Sequence, residues 1–125
     1  MKGLKMIRYY LEEILDGIKN NDVRKYNTKY RGEVALIDSK TKQIIGTVEL
    51  IDVREISKCE YINWHCTGKF KDLKYTETTN ERYFSFDFVN PKKLVKPLKI
   101  NVNQSGLIQI SDEIKENFVY QIKLF

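Results

Sequence analysis

The strictest pattern in this sequence is an alternation of aromatic and polar residues over Arg82–Val89. In an extended chain every second side chain points to the same face, and here one face holds Phe84, Phe86 and Phe88. A strand with three phenylalanines on one face needs a hydrophobic core to cover that face. The pattern therefore predicts a β-sheet with a buried side, and it predicts that the three rings face the core.

One helix and one hairpin are predicted before this strand. Apolar residues recur at helical spacing over 7–18, and Gly17 stands where a helix would end in a left-handed cap. Residues 33–37 and 43–53 are rich in valine and isoleucine and flank a polar stretch, which is typical of a β-hairpin. Gly46 falls where the second of these strands loses its alternation, and it indicates a β-bulge.

The remaining segments have weaker patterns. The polar and basic residues 19–31 show no apolar period and are predicted to form a loop. Asn90-Pro91 is predicted to end the aromatic strand, and Pro97 limits the following chain to a sheet edge or a turn. Shorter elements are expected as follows: a helix within 61–65, strands over 98–102 and 107–110, a helix capped by Ser111, and a closing strand over 119–125. One helix followed by about six short strands predicts an α+β fold that is mostly β, a small barrel with one or two short helices.

The size and composition of the chain fit one small domain. Its 125 residues are too few for two ordinary domains, so a single domain over 1–125 is expected. No apolar run approaches the roughly 20 residues that span a bilayer, and the basic start lacks the features of a signal peptide. The net charge of +5 favours polyanionic partners such as nucleic acids and nucleotides. Two cysteines without a paired cluster fit a reducing cytoplasm, and neither a metal nor another cofactor is expected.

Four motifs occur in an order that is found in a known family. They are G-x-K-x-x-acid-x-R from Gly17, Arg31-Gly32 leading into a hydrophobic strand, I-I-G-x-V-E-L from Ile44, and an aromatic strand that reaches Asn90-Pro91. The ordered set resembles the ASCH domain family, which consists of PUA-like β-barrels with flanking helices. The chain is similar to the small stand-alone members of prokaryotic or phage type.

The resemblance covers most of the chain and carries functional expectations. It implies a PUA-like barrel with an N-terminal helix, and a cleft beside the barrel where Lys19 and Arg24 project. It also implies binding of RNA or a nucleotide, and in one branch of the family the hydrolysis of N4-acetylcytidine.

The segment that carries the first motif is also rich in positive charge. Residues 19–31 contain one acid, Asp22, and five basic residues with two tyrosines among them: Lys19, Arg24, Lys25, Tyr26, Lys29, Tyr30 and Arg31. Cations contact phosphates, and aromatic faces stack bases at about 1–3 kcal/mol each. These residues are therefore predicted to bind RNA, single-stranded nucleic acid or a nucleotide. A second basic run spans 92–99, and both runs have the alternative interpretation of solvated loops.

Catalysis is a second hypothesis, with Lys19 and Asp22 as the candidate residues. In the hydrolytic branch the motif lysine acts with a threonine three residues later, and this chain has Asp22 there. A desolvated lysine can serve as a base, but a neighbouring carboxylate favours its protonated form. We therefore expect little activity on N4-acetylcytidine, while an acid–base pair for ribonuclease chemistry stays open. The sequence does not decide whether the chain is an enzyme.

The stretch between the hairpin and the aromatic strand offers weaker candidates. Cys59, His65 and Cys66 are too few and too isolated for a zinc site, and adjacent residues rarely face each other as a nucleophile and its base. Trp64 fits either the core or the wall of a cleft. A third hypothesis is a non-catalytic adaptor whose barrel binds a protein, and such an adaptor would expose an apolar patch.

Overall fold

The structure is a computed structural model that describes residues 1–57, 60 and 82–122. In these ranges the strands are β1 (Lys2–Met6), β2 (Asn21–Arg24), β3 (Gly32–Asp38), β4 (Gln43–Glu55), β5 (Phe84–Lys99) and β6 (Ile108–Gln109). The helices are α1 (Arg8–Leu15) and α2 (Asp112–Glu116). The helix predicted within 61–65 lies outside the described residues, as do Cys59, Trp64, His65 and Cys66.

The strands form one sheet in the order β2-β5-β4-β3-β1-β6. β1 runs parallel to β3, and the other neighbours are antiparallel. In a flat sheet, four spacings of about 4.8 Å would separate β2 from β1. Instead, the Arg24 guanidinium of β2 donates to the Lys5 carbonyl of β1 over 2.8 Å, so the sheet is curled. The predicted α+β, mostly β architecture is confirmed.

The aromatic strand is confirmed, and its phenylalanines fill the curled sheet. Phe86 is fully buried, and Phe84 and Phe88 are nearly so. The core around them is formed by the inner faces of several strands and by one face of α1: Leu4, Leu11, Ile14, Leu15, Val34, Leu36, Val48 and Leu50. Burial of one such side chain stabilises the fold by about 1.5–3 kcal/mol, so this cluster explains why the strand holds its register.

Gly17 ends α1 in the way its position predicted. Its φ is +76°, and its N–H donates to the Ile14 carbonyl over 3.1 Å. The N–H of Ile18 donates to the Glu13 carbonyl over 2.9 Å, which completes a Schellman cap. The cap turns the chain out of the helix and towards β2.

The hairpin of β3 and β4 and its bulge are also confirmed. The pairing register of β4 shifts beside Gly46 against both of its neighbours, β3 and β5. An added Cβ at Gly46 would lie 2.4 Å from the Lys92 carbonyl oxygen and 2.7 Å from a methyl of Leu15. The missing side chain of Gly46 thus lets β5 and α1 approach β4 more closely than any other residue would allow.

The loop predicted over 19–31 is wrong in part, because Asn21–Arg24 forms β2 and pairs with β5. β2 is an edge strand whose four residues are all half-buried, so it lacks the apolar alternation of an internal strand. No pattern in the sequence predicts β1 either. Leu4 and Met6 are buried there, but the strand is too short for a pattern to stand out before α1 begins.

Two boundaries near the end of the chain are also wrong. β5 does not stop at Asn90-Pro91 but continues to Lys99, since Asn90 adopts a φ of +54° and the strand passes through a register shift against β4. Within the described residues of 119–125, only Tyr120 forms a β-bridge, with Leu94, so no closing strand is formed over 119–122.

The last short elements are confirmed in part. Leu98 and Lys99 belong to β5, whereas 100–102 is not strand, and β6 takes up only Ile108–Gln109 of the predicted 107–110. Ser111 caps α2 as expected, because its hydroxyl accepts from the Ile114 N–H over 3.3 Å. In the described part of the chain, no helix has the length and apolar character needed to cross a bilayer.

Candidate functional site

The motif residues come together where α1, β1 and β2 meet. The Gly17 cap brings Lys19 back over the end of α1, where its N–H donates to the Glu13 carbonyl over 3.1 Å. β2 begins two residues later, and alternate residues of a strand share a face, which places Asp22 and Arg24 side by side. The structure thus brings Asp22 and Arg24 into contact and places Lys19 near enough for Asp22 to influence its charge.

Asp22 and Arg24 form a clamp across the seam of the curled sheet, which is the place where β2 approaches β1. Arg24 Nε donates to Asp22 Oδ2 over 2.5 Å, and Arg24 Nη2 donates to the Lys5 carbonyl of β1 over 2.8 Å. Only 21% of the Arg24 side chain and 15% of the Asp22 side chain are exposed. We refer to Asp22, Arg24 and the Lys5 carbonyl as the seam clamp. Because it fixes β2 against β1, it is first of all part of the fold.

The Lys19 ammonium lies beside the seam clamp, partly withdrawn from water. It stands over the ring of Tyr10, 5.6 Å from the ring centroid. Burial lowers the pKa of Lys19 below its usual value of 10.5, and the carboxylates of Asp22 and Glu13 act in the opposite direction without restoring it. Asp22 therefore acts on this pKa in the expected direction, but the expectation of a raised pKa for Lys19 is wrong. Asp22 does favour the ammonium, but the loss of hydration outweighs its effect.

The other predicted cations are spread over the neighbouring surface. Lys25 and Lys29 are exposed, and the Lys25 ammonium stands over the Tyr83 ring at 6.0 Å. Arg31 is also exposed, and its guanidinium donates to the carbonyls of Thr28 and Tyr30 over 3.0 and 2.8 Å. Arg31 therefore braces its own loop.

The two tyrosines of the segment pack against the core. The Tyr26 ring meets Phe86 edge to face at 5.5 Å, and burial raises the pKa of Tyr26. The Tyr30 hydroxyl donates to the Glu33 carbonyl over 2.6 Å. Both rings pack against the core of the curled sheet, and the stacking of bases on them stays a prediction.

Two contributions to the site were not found from the sequence. Tyr10 falls within the helical pattern of 7–18, and nothing in the sequence links it to a lysine nine residues away. Lys5 contributes through its backbone carbonyl, which no side-chain pattern reveals. Among the described residues, no group of three or more histidines, cysteines, aspartates or glutamates is close enough to hold a metal ion.

The family that the motifs resemble is confirmed by comparison with known proteins. A sequence model of the ASCH domain matches residues 4–98, and the chain belongs to the ASCH domain family. No curated protein matches the chain.

Crystal structures of an ASCH protein from Zymomonas mobilis share the fold. The unmodified protein matches with a TM-score of 0.64 at 13% identity, over 92% of this chain and 90% of that one. A serine-to-alanine mutant of the same protein matches with a TM-score of 0.72 at 13% identity, over 92% of this chain and 91% of that one. At this identity the likeness shows the fold alone.

Proposed function

We propose that this ASCH domain binds RNA or a nucleotide, with the Lys19 ammonium as the central phosphate contact. The observation that carries the proposal is the partial burial of Lys19 beside an acid that already binds another cation. Asp22 accepts a short hydrogen bond from Arg24, and burial keeps the pKa of Lys19 lowered despite Asp22. A phosphate that approaches Lys19 would offset the hydration it has lost and would form a charge-assisted hydrogen bond.

The surface around Lys19 supports the same partner. Lys25 and Lys29 are exposed on the segment that follows β2, and the whole chain carries a net charge of +5. Exposed cations of this kind position a nucleic-acid backbone without reading its sequence. Arg24 was predicted as a ligand contact too, and it stays one in this proposal, although its guanidinium also holds the seam clamp.

Binding of a labelled single-stranded RNA, followed by fluorescence anisotropy over a salt series, tests the proposal. Affinity should fall steeply between about 50 and 200 mM salt, and Lys19→Glu should weaken binding by about tenfold and reduce the salt slope by about 1. Lys40→Glu is the matched control, since Lys40 is exposed in the turn between β3 and β4 and the charge change is the same.

Lys40 is a better control than the neighbouring Lys42. Lys42 has a φ of +58°, and its ammonium donates to the Ser39 carbonyl, so a change there also disturbs the turn. Equal losses for Lys19→Glu and Lys40→Glu would mean that a diffuse positive field attracts the RNA, and the proposed contact would then be rejected.

A hydrolase that uses Lys19 as its base is the second candidate, and the lowered pKa of Lys19 favours it. A lysine must be neutral to accept a proton, and burial shifts Lys19 in that direction. The other half of the motif is still missing, because Asp22 provides no hydroxyl and is bound to Arg24. We therefore still expect little hydrolysis of N4-acetylcytidine, because the hydroxyl that the motif requires is missing.

Acetate release from N4-acetylcytidine separates the two candidates. Wild type and Lys19→Ala should both be nearly inactive, and Asp22→Thr is the variant in which activity should first appear. Robust turnover by wild type that is lost in Lys19→Ala would promote the hydrolase to first place.

A further inference from the structure

We propose a second ligand subsite in a groove beside β5, which takes a nucleotide unit adjacent to the one held at Lys19. The groove is lined by the end of α1, the bulge of β5 and the segment after α2, and its lining includes Leu15, Asp16, Pro91, Lys92, Tyr120 and Ile122. Its volume is about 730 Å³, within the range of about 300–1,000 Å³ that is usual for small-ligand sites. We refer to it as the β5 groove. The inference rests on the proposed function.

The β5 groove exists because two different segments cover the same edge of β5. β2 and the residue before it cover this edge as far as Phe88, whose N–H donates to the Asn20 carbonyl over 2.8 Å. The segment after α2 covers the edge from Lys93, whose carbonyl accepts from the Gln121 N–H over 2.8 Å. The groove lies between these two segments, at the bulge where Asn90 has a φ of +54°. Bulges of this kind are frequent beside binding sites.

Lys92 is the cation that the groove offers to a ligand. Its exposed ammonium stands over the Tyr120 ring at 5.2 Å, whereas the ammonium of Lys93 is paired with Asp16. Tyr120 is held in place by its neighbours, since it packs with Leu94 and its hydroxyl lies 3.4 Å from the buried Thr47 hydroxyl.

Two carboxylates that line a neighbouring pocket together with Lys92 have partners of their own. Glu49 accepts from the Asn90 carboxamide over 3.0 Å, and Glu33 lies 3.7 Å from the Lys115 ammonium. The Lys92 charge is therefore available to an anion that enters the groove, and a phosphate is the anion that the proposed function supplies.

The rest of the groove suits a base rather than a bare phosphate. Its walls include Leu15, Pro91 and Ile122, and Ile122 is 85% exposed. A planar base that packs on Ile122 would remove apolar surface from water. The Lys92 ammonium would keep its place over the Tyr120 ring. A cation beside an apolar wall matches a nucleoside monophosphate, with its charge at one end and its base at the other.

The β5 groove and Lys19 are connected through the end of α1. Leu15 and Asp16 line the groove, and the Gly17 cap leads the chain straight on to Lys19. A strand of RNA that follows the end of this helix would place one phosphate at Lys19 and a neighbouring nucleotide in the β5 groove. This arrangement defines the partner as a nucleic-acid strand or dinucleotide rather than a single small anion.

The test is a nuclear magnetic resonance titration of the full chain with adenosine 5′-monophosphate and, separately, with inorganic phosphate. The nucleotide should shift the amide resonances of Lys92, Lys93 and 120–122, and Lys92→Glu should weaken that binding by about tenfold. Lys96→Glu is the control, because Lys96 is exposed on the same strand and does not line the groove. It should change the affinity by less than about twofold. A melting curve for Lys92→Glu and the milder Lys92→Gln excludes unfolding as the cause.

Three results would overturn the inference. They are shifts confined to 19–24, equal losses in Lys92→Glu and Lys96→Glu, and inorganic phosphate binding at the same resonances as tightly as the nucleotide does. None of these results affects the RNA affinity assay of Lys19→Glu, so the proposed function can stand while the subsite fails. Conversely, an unchanged RNA affinity in Lys19→Glu would reject the proposed function and leave the titration of the groove to be judged by itself.

Discussion

Asp22 lies between two cations in the sequence, Lys19 and Arg24. In the structure it accepts a hydrogen bond from Arg24. The cause is strand geometry, since residues two apart on β2 share a face and Arg24 can reach both Asp22 and the Lys5 carbonyl. Asp22 therefore stabilises the Lys19 ammonium only in part, and burial decides the direction in which the pKa of Lys19 shifts. One carboxylate supports the fold and tunes a neighbouring ammonium at the same time.

Replacing Arg24 by alanine tests the structural half of this role. Asp22 would keep its burial but lose its main donor, and the Lys5 carbonyl would lose its side-chain partner. We expect the free energy of unfolding to fall by about 1–3 kcal/mol in urea denaturation.

Arg82→Ala is the matched control for the seam clamp. Arg82 also binds a carboxylate, that of Glu55, but 66% and 47% of the two side chains are exposed. Exposed pairs contribute about 0–1 kcal/mol, so this variant should be the milder one. Equal effects of the two variants would show that the seam clamp does not hold β2 to β1.

At the scale of elements, the bulges of β4 and β5 decide how the sheet curls and where the β5 groove opens. β4 shifts register beside Gly46, and β5 shifts beside Asn90. Gly46 of β4 lies close to the Lys92 carbonyl oxygen of β5 and to Leu15 at the end of α1, so the three elements pack tightly here.

Gly46→Ala should therefore be strongly destabilising. The new methyl would meet a backbone carbonyl oxygen at 2.4 Å, and a carbonyl in a central ladder moves only if the strand moves. We expect a loss of about 3 kcal/mol in the free energy of unfolding. The comparison is Gly17→Ala, where an added Cβ meets nothing within 4 Å and the strain of a φ of +76° costs about 1 kcal/mol. If Gly46→Ala is no worse than Gly17→Ala, the close approach is not a constraint on the fold.

The elements also show what local sequence patterns can and cannot reveal. The strand of Phe84, Phe86 and Phe88 and the Gly17 cap were predictable because each depends on residues that are neighbours in the chain. β2 was not predictable, since it exists only through its pairing with β5, and polar edge residues give no alternation. β5 runs on past Pro91 for a similar reason, because the bulge and the neighbouring β4 compensate for a residue that usually ends a strand.

At the scale of the whole molecule, the proposed binding surface combines residues that are distant in sequence. Lys19, Asp22 and Arg24 could be proposed from the sequence because they stand within one short motif of the ASCH family. Tyr10, the Lys5 carbonyl and the inward packing of Tyr26 could not, because each depends on the curl of the sheet and the position of α1. The curl also brings the end of α1 to the bulge of β5, which no local pattern in either segment suggests.

The central claim is that an anionic ligand binds at Lys19, and the pKa of Lys19 itself reports on this most directly. It can be followed by nuclear magnetic resonance of the lysine side chain, with Lys19→Arg used to assign the signal. In the free protein we expect a pKa below 10.5, because burial disfavours the ammonium. Saturating single-stranded RNA should raise the pKa of Lys19, since a bound phosphate stabilises the ammonium. By linkage, RNA affinity should fall as the pH rises through the pKa that Lys19 has in the free protein. A Lys19 pKa that saturating RNA leaves unchanged would contradict the proposed contact.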